Sequence, residues 1–84
     1  MAEIHVERVN DHFEVRVSEP GSESTHRVAS DRPDLAEGYD SPEAFIEACF
    51  AFLLEREPKE SILGTFDVSV ISRYFPDFEE TIAG

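Results

Sequence analysis

The sequence predicts an α+β domain in which a three-stranded antiparallel meander packs one face against a long helix, followed by two short C-terminal helices. Apolar and polar residues alternate in the first third of the chain, and a helical apolar pattern starts after Ser41-Pro42-Glu43. The remaining third is divided by Pro58, Gly64 and Pro76. Since 84 residues fill only one core, we expect a single domain over 1–84.

The first two strands are predicted to form a tight hairpin. Alternation runs over residues 3–9 and 13–17, and the turn-prone pair Asn10 and Asp11 lies between them. If Val9 faces His12 across the turn, the register follows. One face of the hairpin then holds the pairs Arg8 with Phe13, Val6 with Val15, and Ile4 with Val17. This register buries the apolar side chains together, and a slip of one residue would invert the two faces.

A third strand over 24–29 is expected after the turn residues 19–22, with Val28 beside Phe13 and His26 beside Val15 on the buried face. Together with the hairpin it makes residues 1–30 an antiparallel sheet. Residues 31–40 contain Pro33, Gly38 and several acidic side chains, which is typical of a loop.

Residues 41–78 are predicted to form the helical layer. Ser41 can cap a long helix that starts with Pro42 and runs to about Glu57. Its apolar surface is wide enough to contact the sheet on one side and a second element on another. The residues that make this surface are Phe45, Ile46, Cys49, Phe50, Phe52, Leu53 and Leu54.

The second element is predicted to be a pair of short helices. Pro58 can begin one that Gly64 closes, and Asp67 can cap another that Pro76 ends. Alternation at Phe66, Val68 and Val70 is the competing strand signal, so residues 67–75 are open between helix and strand, with helix preferred. Residues 79–84 are expected to form a tail.

The charge balance bears most directly on function. Nineteen acidic residues stand against seven basic ones, which gives a net charge of -12 at pH 7. Such a field repels phosphate, so neither direct nucleic-acid binding nor a membrane surface is expected as a partner. A basic protein partner fits the charge, and adaptation to high salt or simple solubility are alternatives that the sequence leaves open.

Cys49 is the single cysteine, so the chain has no intramolecular disulfide and no thiolate set for a structural zinc site. This favours a reducing, cytoplasmic setting. The first residues lack the basic and apolar regions of a signal peptide, and no segment reaches the ~18 apolar residues that would span a bilayer. We therefore expect an unexported soluble protein.

No catalytic, cofactor or metal site is predicted. His5 and His12 lie on the solvated face of the predicted hairpin without being cross-strand partners, and His26 is expected on the other face. Cys49 lies mid-helix on the apolar stripe, where it is expected to be a buried hydrophobe rather than a nucleophile. The chain also lacks a glycine-rich phosphate loop and a serine elbow.

The aromatic cluster around Pro76 is the candidate partner-binding site. Tyr74, Phe75 and Phe78 exceed what one short helix buries alone, and Phe75 is expected on the long helix. Exposed Tyr74 or Phe78, with Arg73 beside them, would form an interface anchor, because interfaces are enriched in aromatic residues and Arg.

The sequence therefore favours a small, acidic, non-enzymatic interaction module or regulator. One alternative is an acidic inhibitor that mimics nucleic acid on a basic protein. The other is a small enzyme or ligand-binding domain with a pocket built around His26 or a pair of carboxylates.

A distinctive stretch supports one resemblance. Residues 52–78 read FLLEREPKESILGTFDVSVISRYFPDF. This resembles the C-terminal signature of a family of small uncharacterised bacterial proteins, in which Phe-Asp-x-Ser-Val-Ile precedes Arg-Tyr-Phe-Pro. It covers about a third of the chain and implies a compact domain without assigning an activity.

A second resemblance is to HicB-type antitoxins, in which a short antiparallel sheet precedes a Pro-Asp-Leu loop with glycine and a helix opened by Ser or Thr. The matching residues are Pro33, Asp34, Leu35, Gly38, Ser41 and Glu43. Ala36 stands where that family has a proline. The helical tail does not belong to the pattern, and the DNA-binding module of that family has no counterpart in the sequence.

Overall fold

The computed structural model describes residues 2–83 and has the predicted α+β class. The short helix expected between Pro58 and Gly64 is only a 3-10 turn, Lys59–Ser61. The elements of the described residues are β1 (Glu3–Val9), β2 (His12–Glu19), β3 (Ser22–Ala29), α1 (Pro33–Ala36), α2 (Pro42–Leu54), β4 (Thr65–Asp67), α3 (Val68–Tyr74) and α4 (Phe78–Ala83).

The predicted meander and its register are confirmed. Val9 faces His12 across the first turn, Val6 faces Val15, and Phe13 faces Val28 on the next strand. Asn10 has a φ of 57°, a left-handed conformation that Asn tolerates better than most residues. The turn residues and the alternation are therefore sufficient to set the pairing of β1, β2 and β3.

The second turn lets β3 begin at Ser22, two residues before the predicted start. Gly21 has a φ of 84°, and it follows Pro20 in the order that a type II turn requires. Because this turn is tight, the ladder continues to the pair Glu19 and Ser22.

The predicted three-stranded sheet is wrong in one respect, because a fourth strand joins it. Strand β4 pairs parallel with β3, with Phe66 beside Val28, in the strand order β1-β2-β3-β4. The helix prediction for 67–75 is confirmed over α3, but the strand signal at Phe66 also has a structural basis. Burying Phe66 at the edge of the sheet places the chain in extended conformation before α3 begins.

Two further predictions need correction. The expected loop 31–40 contains the short helix α1, which begins with Pro33 and is held by Arg32. The expected tail 79–84 is largely helix α4, because Phe78 and Ile82 lie one turn apart and are both buried. Residue 84 lies outside the described residues.

Helix α2 carries the centre of the core. The Ser41 side chain accepts a hydrogen bond from the Ala44 amide (3.0 Å), as predicted for a cap, but the helix ends at Leu54 instead of about residue 57. Phe50 packs against His26 of the sheet, with ring centroids 5.3 Å apart. Phe52 packs against Phe78 of α4 at 5.1 Å. The wide apolar surface of α2 is therefore covered from two sides.

Candidate functional site

An apolar groove lies between the C-terminal end of α2, the segment before β4, and α3. We call it the α2–α3 groove, and its volume is about 340 Å³. Eight of its lining side chains are apolar or aromatic and two, Glu57 and Ser61, are polar. The apolar lining consists of Leu53, Ile62, Leu63, Phe66, Val70, Ile71, Tyr74 and Phe75.

Two large apolar side chains are exposed among the described residues, and both line this groove. Leu63 is 48% exposed and Tyr74 is 67% exposed. Single exposed apolar residues are common on protein surfaces and need no explanation. Two that line the same concave surface offer a partner more than one apolar contact at one place.

The segment that carries Leu63 is fixed to the sheet by its backbone. The Nδ1 atom of His26 lies 2.8 Å from the Leu63 carbonyl oxygen, and the Arg27 amide donates to the Gly64 carbonyl at 2.7 Å. Because a carbonyl oxygen only accepts, Nδ1 is the donor of this hydrogen bond. The other ring nitrogen lies 2.8 Å from the Ser24 hydroxyl. This wall of the groove is therefore anchored to β3.

Lys59 holds the start of this segment, the 3-10 turn, against the sheet. Its ammonium is buried and contacts Glu19 at 2.8 Å, the Ser22 hydroxyl at 2.6 Å, and the Glu60 carboxylate. Hydrogen bonds to Glu19 and Glu60 raise the pKa of Lys59 above its usual range, and the bond to Lys59 lowers the pKa of Glu60. The only lysine of the chain thus ties the 3-10 turn to the β2–β3 turn.

The opposite wall, α3, is positioned by Asp31. Asp67 stands at the predicted cap position but makes no side-chain capping bond. Instead, one Asp31 oxygen accepts from the Ser69 amide at 2.9 Å and the other from the Ser69 hydroxyl at 2.5 Å. No local sequence pattern predicts this cap, since the two residues lie 38 positions apart.

The three predicted partner-binding residues occupy different environments. Tyr74 is exposed at the groove, and Arg73 is exposed beside it without lining the groove. Phe78 is fully buried against Phe52, so its expected place in an exposed patch is wrong. Phe75 packs edge-on against Phe52 at 5.8 Å, as predicted for contact with the long helix. Leu63, which sequence reasoning did not select, is the other exposed large apolar side chain of the described residues at the groove.

The charge at the groove is negative. Glu57 lines the groove, and its carboxylate forms no ion pair with another of the residues 2–83. The neighbouring Arg56 does not neutralise it, because its guanidinium stacks 3.6 Å from the centroid of the Phe52 ring and donates to Asp77 at 2.8 Å. Glu57 is thus available to a basic group of a partner.

The side chains considered for catalysis or metal binding are dispersed. Cys49 is fully buried on α2, as predicted, and burial raises the pKa of its thiol to about 12. His5 and His12 lie on the outer face of the sheet, whereas His26 is 3% exposed on the inner face. Within residues 2–83 no three His, Cys, Asp or Glu side chains come together as metal ligands.

None of the helices within residues 2–83 combines the length and the apolar character that a membrane crossing needs. Comparison of the chain with protein-family models, with curated proteins and with solved structures found no match. The two resemblances that the sequence suggests therefore stay predictions.

Proposed function

We propose that this protein is a small, non-enzymatic interaction module that binds another protein through the α2–α3 groove. The observation that carries the proposal is the position of Leu63 and Tyr74, the two exposed large apolar side chains of the described residues, on one concave surface. Aromatic residues in such positions are characteristic of the centres of protein interfaces.

The walls of the groove support this proposal because they are held in place before any partner arrives. His26, Lys59 and Asp31 each connect a groove wall to a distant part of the chain. A preformed surface loses little conformational entropy on binding, so more of the contact energy contributes to affinity.

The net charge of -12 supports a basic partner. Complementary charge raises the association rate of two proteins and disfavours like-charged competitors, and added salt weakens both effects. An acidic inhibitor that mimics nucleic acid is compatible with the same charge. It draws on charge alone, however, whereas the groove adds a defined apolar surface.

A binding site for a small ligand is the second candidate, and the size of the groove favours it. About 340 Å³ is near the lower end of the range of roughly 300–1,000 Å³ that ligand pockets occupy. The groove is open enough for Tyr74 to be 67% exposed, which suits a protein surface better than the enclosed pocket that a small ligand needs.

The test is capture of partners by the wild-type protein and by a Leu63→Ser, Tyr74→Ala double variant whose fold is checked by circular dichroism. Glu80→Ala on α4 is the matched surface control, because Glu80 is exposed and does not line the groove. A partner lost only by the double variant is identified, purified and titrated by calorimetry. Equal binding by all three proteins would remove the groove from the function.

A further inference from the structure

The size of the α2–α3 groove limits how many side chains of a partner can enter it. A cavity of ~150 Å³ holds one benzene ring, so about 340 Å³ holds roughly two large apolar side chains. Along the α3 wall, Val70 and Tyr74 are four residues apart, which corresponds to about 6 Å of helix. Two side chains at positions i and i+4 of a helix are also about 5–6 Å apart.

The backbone of the groove favours a helix over an extended segment as the occupant. An extended peptide gains affinity by main-chain hydrogen bonds to a free edge. On the 62–64 segment, three of the six backbone hydrogen-bonding groups are already used, since the Ile62 amide donates to Lys59 and the carbonyls of Leu63 and Gly64 accept from β3. The segment therefore offers no regular row of free groups to an added strand. Strand β4 next to it is only three residues long. A helix satisfies its own interior backbone groups and needs only apolar contact.

The negative charge at the groove favours basic residues on the partner helix, beside its apolar pair. Glu57 is the one charged side chain among the described residues that line the groove. A Lys or Arg on the partner, placed beside its apolar pair, reaches this carboxylate at the rim, where the remaining field of the protein is also negative.

From these three steps we infer that the groove binds an amphipathic helix of a partner protein. The helix inserts two apolar side chains one turn apart and pairs a flanking Lys or Arg with Glu57. This inference rests on the proposed function and specifies the chemistry of its partner.

The experiment uses the full chain and four designed 16-residue peptides with a fluorescent label. The first is helical, with Leu at i and i+4 and Lys at the flanks. The second replaces Lys by Glu, the third replaces both Leu by Ser, and the fourth has a central proline. We expect the first peptide to bind at least 10-fold more tightly than each of the others, as measured by fluorescence anisotropy at 50 mM salt.

Two protein variants locate the contact. Leu63→Asp places a charge in the apolar wall at an exposed position, and we expect it to weaken binding of the first peptide at least 10-fold. Glu57→Lys is expected to weaken binding at least 3-fold at 50 mM salt and less at 300 mM. The matched control Glu80→Lys changes the net charge by the same amount on α4, away from the groove, and should retain most of the affinity.

Four binding results would overturn the inference. They are no binding of the first peptide at 1 mM, equal binding of any of the other three peptides, an unchanged affinity of Leu63→Asp, and equal losses in Glu57→Lys and Glu80→Lys. Light scattering tests whether a second copy of the chain fills the groove instead. A wild-type dimer that the Leu63→Asp substitution dissociates would show this and would overturn the inference.

The proposed function is judged separately, because a captured partner that depends on Leu63 and Tyr74 would support it even if that partner is not a basic helix.

Discussion

The Nδ1 atom of His26 donates a hydrogen bond of 2.8 Å to the carbonyl oxygen of Leu63. One residue is buried in the sheet, and the other is half exposed at the α2–α3 groove. The bond therefore links the fold directly to the candidate interface. Loss of the His26 side chain should therefore loosen the segment that carries Leu63.

His26→Phe tests this link, because Phe keeps an aromatic ring against Phe50 and removes both ring hydrogen bonds. We expect a loss of about 1–3 kcal/mol in the free energy of unfolding, since the Leu63 carbonyl loses its donor. Ser24→Ala removes only the second bond and should cost less. Urea denaturation gives both values, and a His26→Phe variant as stable as wild type would show that the bond is not needed.

Phe78 and Tyr74 should differ sharply in their effect on stability. Phe78 is fully buried and packs on Phe52, so Phe78→Ala is expected to cost about 3–5 kcal/mol. Tyr74 is 67% exposed, so Tyr74→Ala should change the free energy of unfolding by less than about 0.5 kcal/mol. Chemical denaturation of the two variants measures the contrast. Similar losses would mean that Tyr74 is part of the core.

Local patterns predicted the meander well because everything that sets its register lies within a few residues. Asn10 and Gly21 fit the turns, and alternation assigns each side chain of the strands to a face. Strand β4 is different, because its partner among residues 2–83 is β3, which lies 38 positions earlier in the pair Val28 and Phe66. No local pattern contains that partner.

The candidate site was predicted in part for the same reason. The aromatic cluster around Pro76 pointed to Tyr74, but sequence alone does not show which ring turns inward. A signal for Phe78 was present, since Ile82 lies one turn further on and acidic residues 79 and 80 suit the first turn of a helix. The sequence holds only a weak indication that Leu63 is exposed: it directly follows Ile62, which is buried, and neighbouring side chains of an extended segment point in opposite directions.

Gly21→Ala should destabilise the protein through the backbone alone. Gly21 has a φ of 84°, and a Cβ at this position would meet no other atom within 4 Å. The left-handed conformation costs a residue with a Cβ roughly 1–2 kcal/mol, which is the expected loss. Gly38→Ala is the control, because Gly38 is also sterically open but has no such φ. Thermal unfolding should separate the two, and equal melting temperatures would count against a strained turn.

Acid should remove the contribution of the Arg56–Asp77 ion pair. The hydrogen bond from Arg56 lowers the pKa of Asp77 below its ordinary value of 3.8. A carboxylate whose pKa is lower in the folded state stabilises the fold above its unfolded pKa, and this contribution is lost as the pH falls through the folded value.

Asp77→Asn should therefore lower the melting temperature at pH 7, and the difference from wild type should shrink as the pH falls below 3.8. Asn preserves the size of the side chain and removes its charge. Glu80→Gln, at an exposed position with no ion pair to residues 2–83, is the control and should show no such convergence. If the difference in melting temperature between wild type and Asp77→Asn stayed constant across the pH range, the charge of Asp77 would not be the cause of the stabilisation.

Cys49 should react with thiol reagents only when the protein unfolds. The thiolate is the reactive form, and burial raises the pKa of this thiol from 9.0 to about 12, so the fraction ionised at pH 8 is on the order of 10⁻⁴. The neutral thiol also stabilises the fold below pH 9.0, and this contribution is lost as the pH rises from there towards the pKa of Cys49 in the folded protein.

Labelling with an aromatic disulfide at pH 8 should be slow in the native protein and immediate in concentrated urea. If Phe78→Ala accelerates labelling and Tyr74→Ala does not, access to Cys49 follows the opening of the core, whereas rapid labelling of the native wild type would place the thiol at the surface.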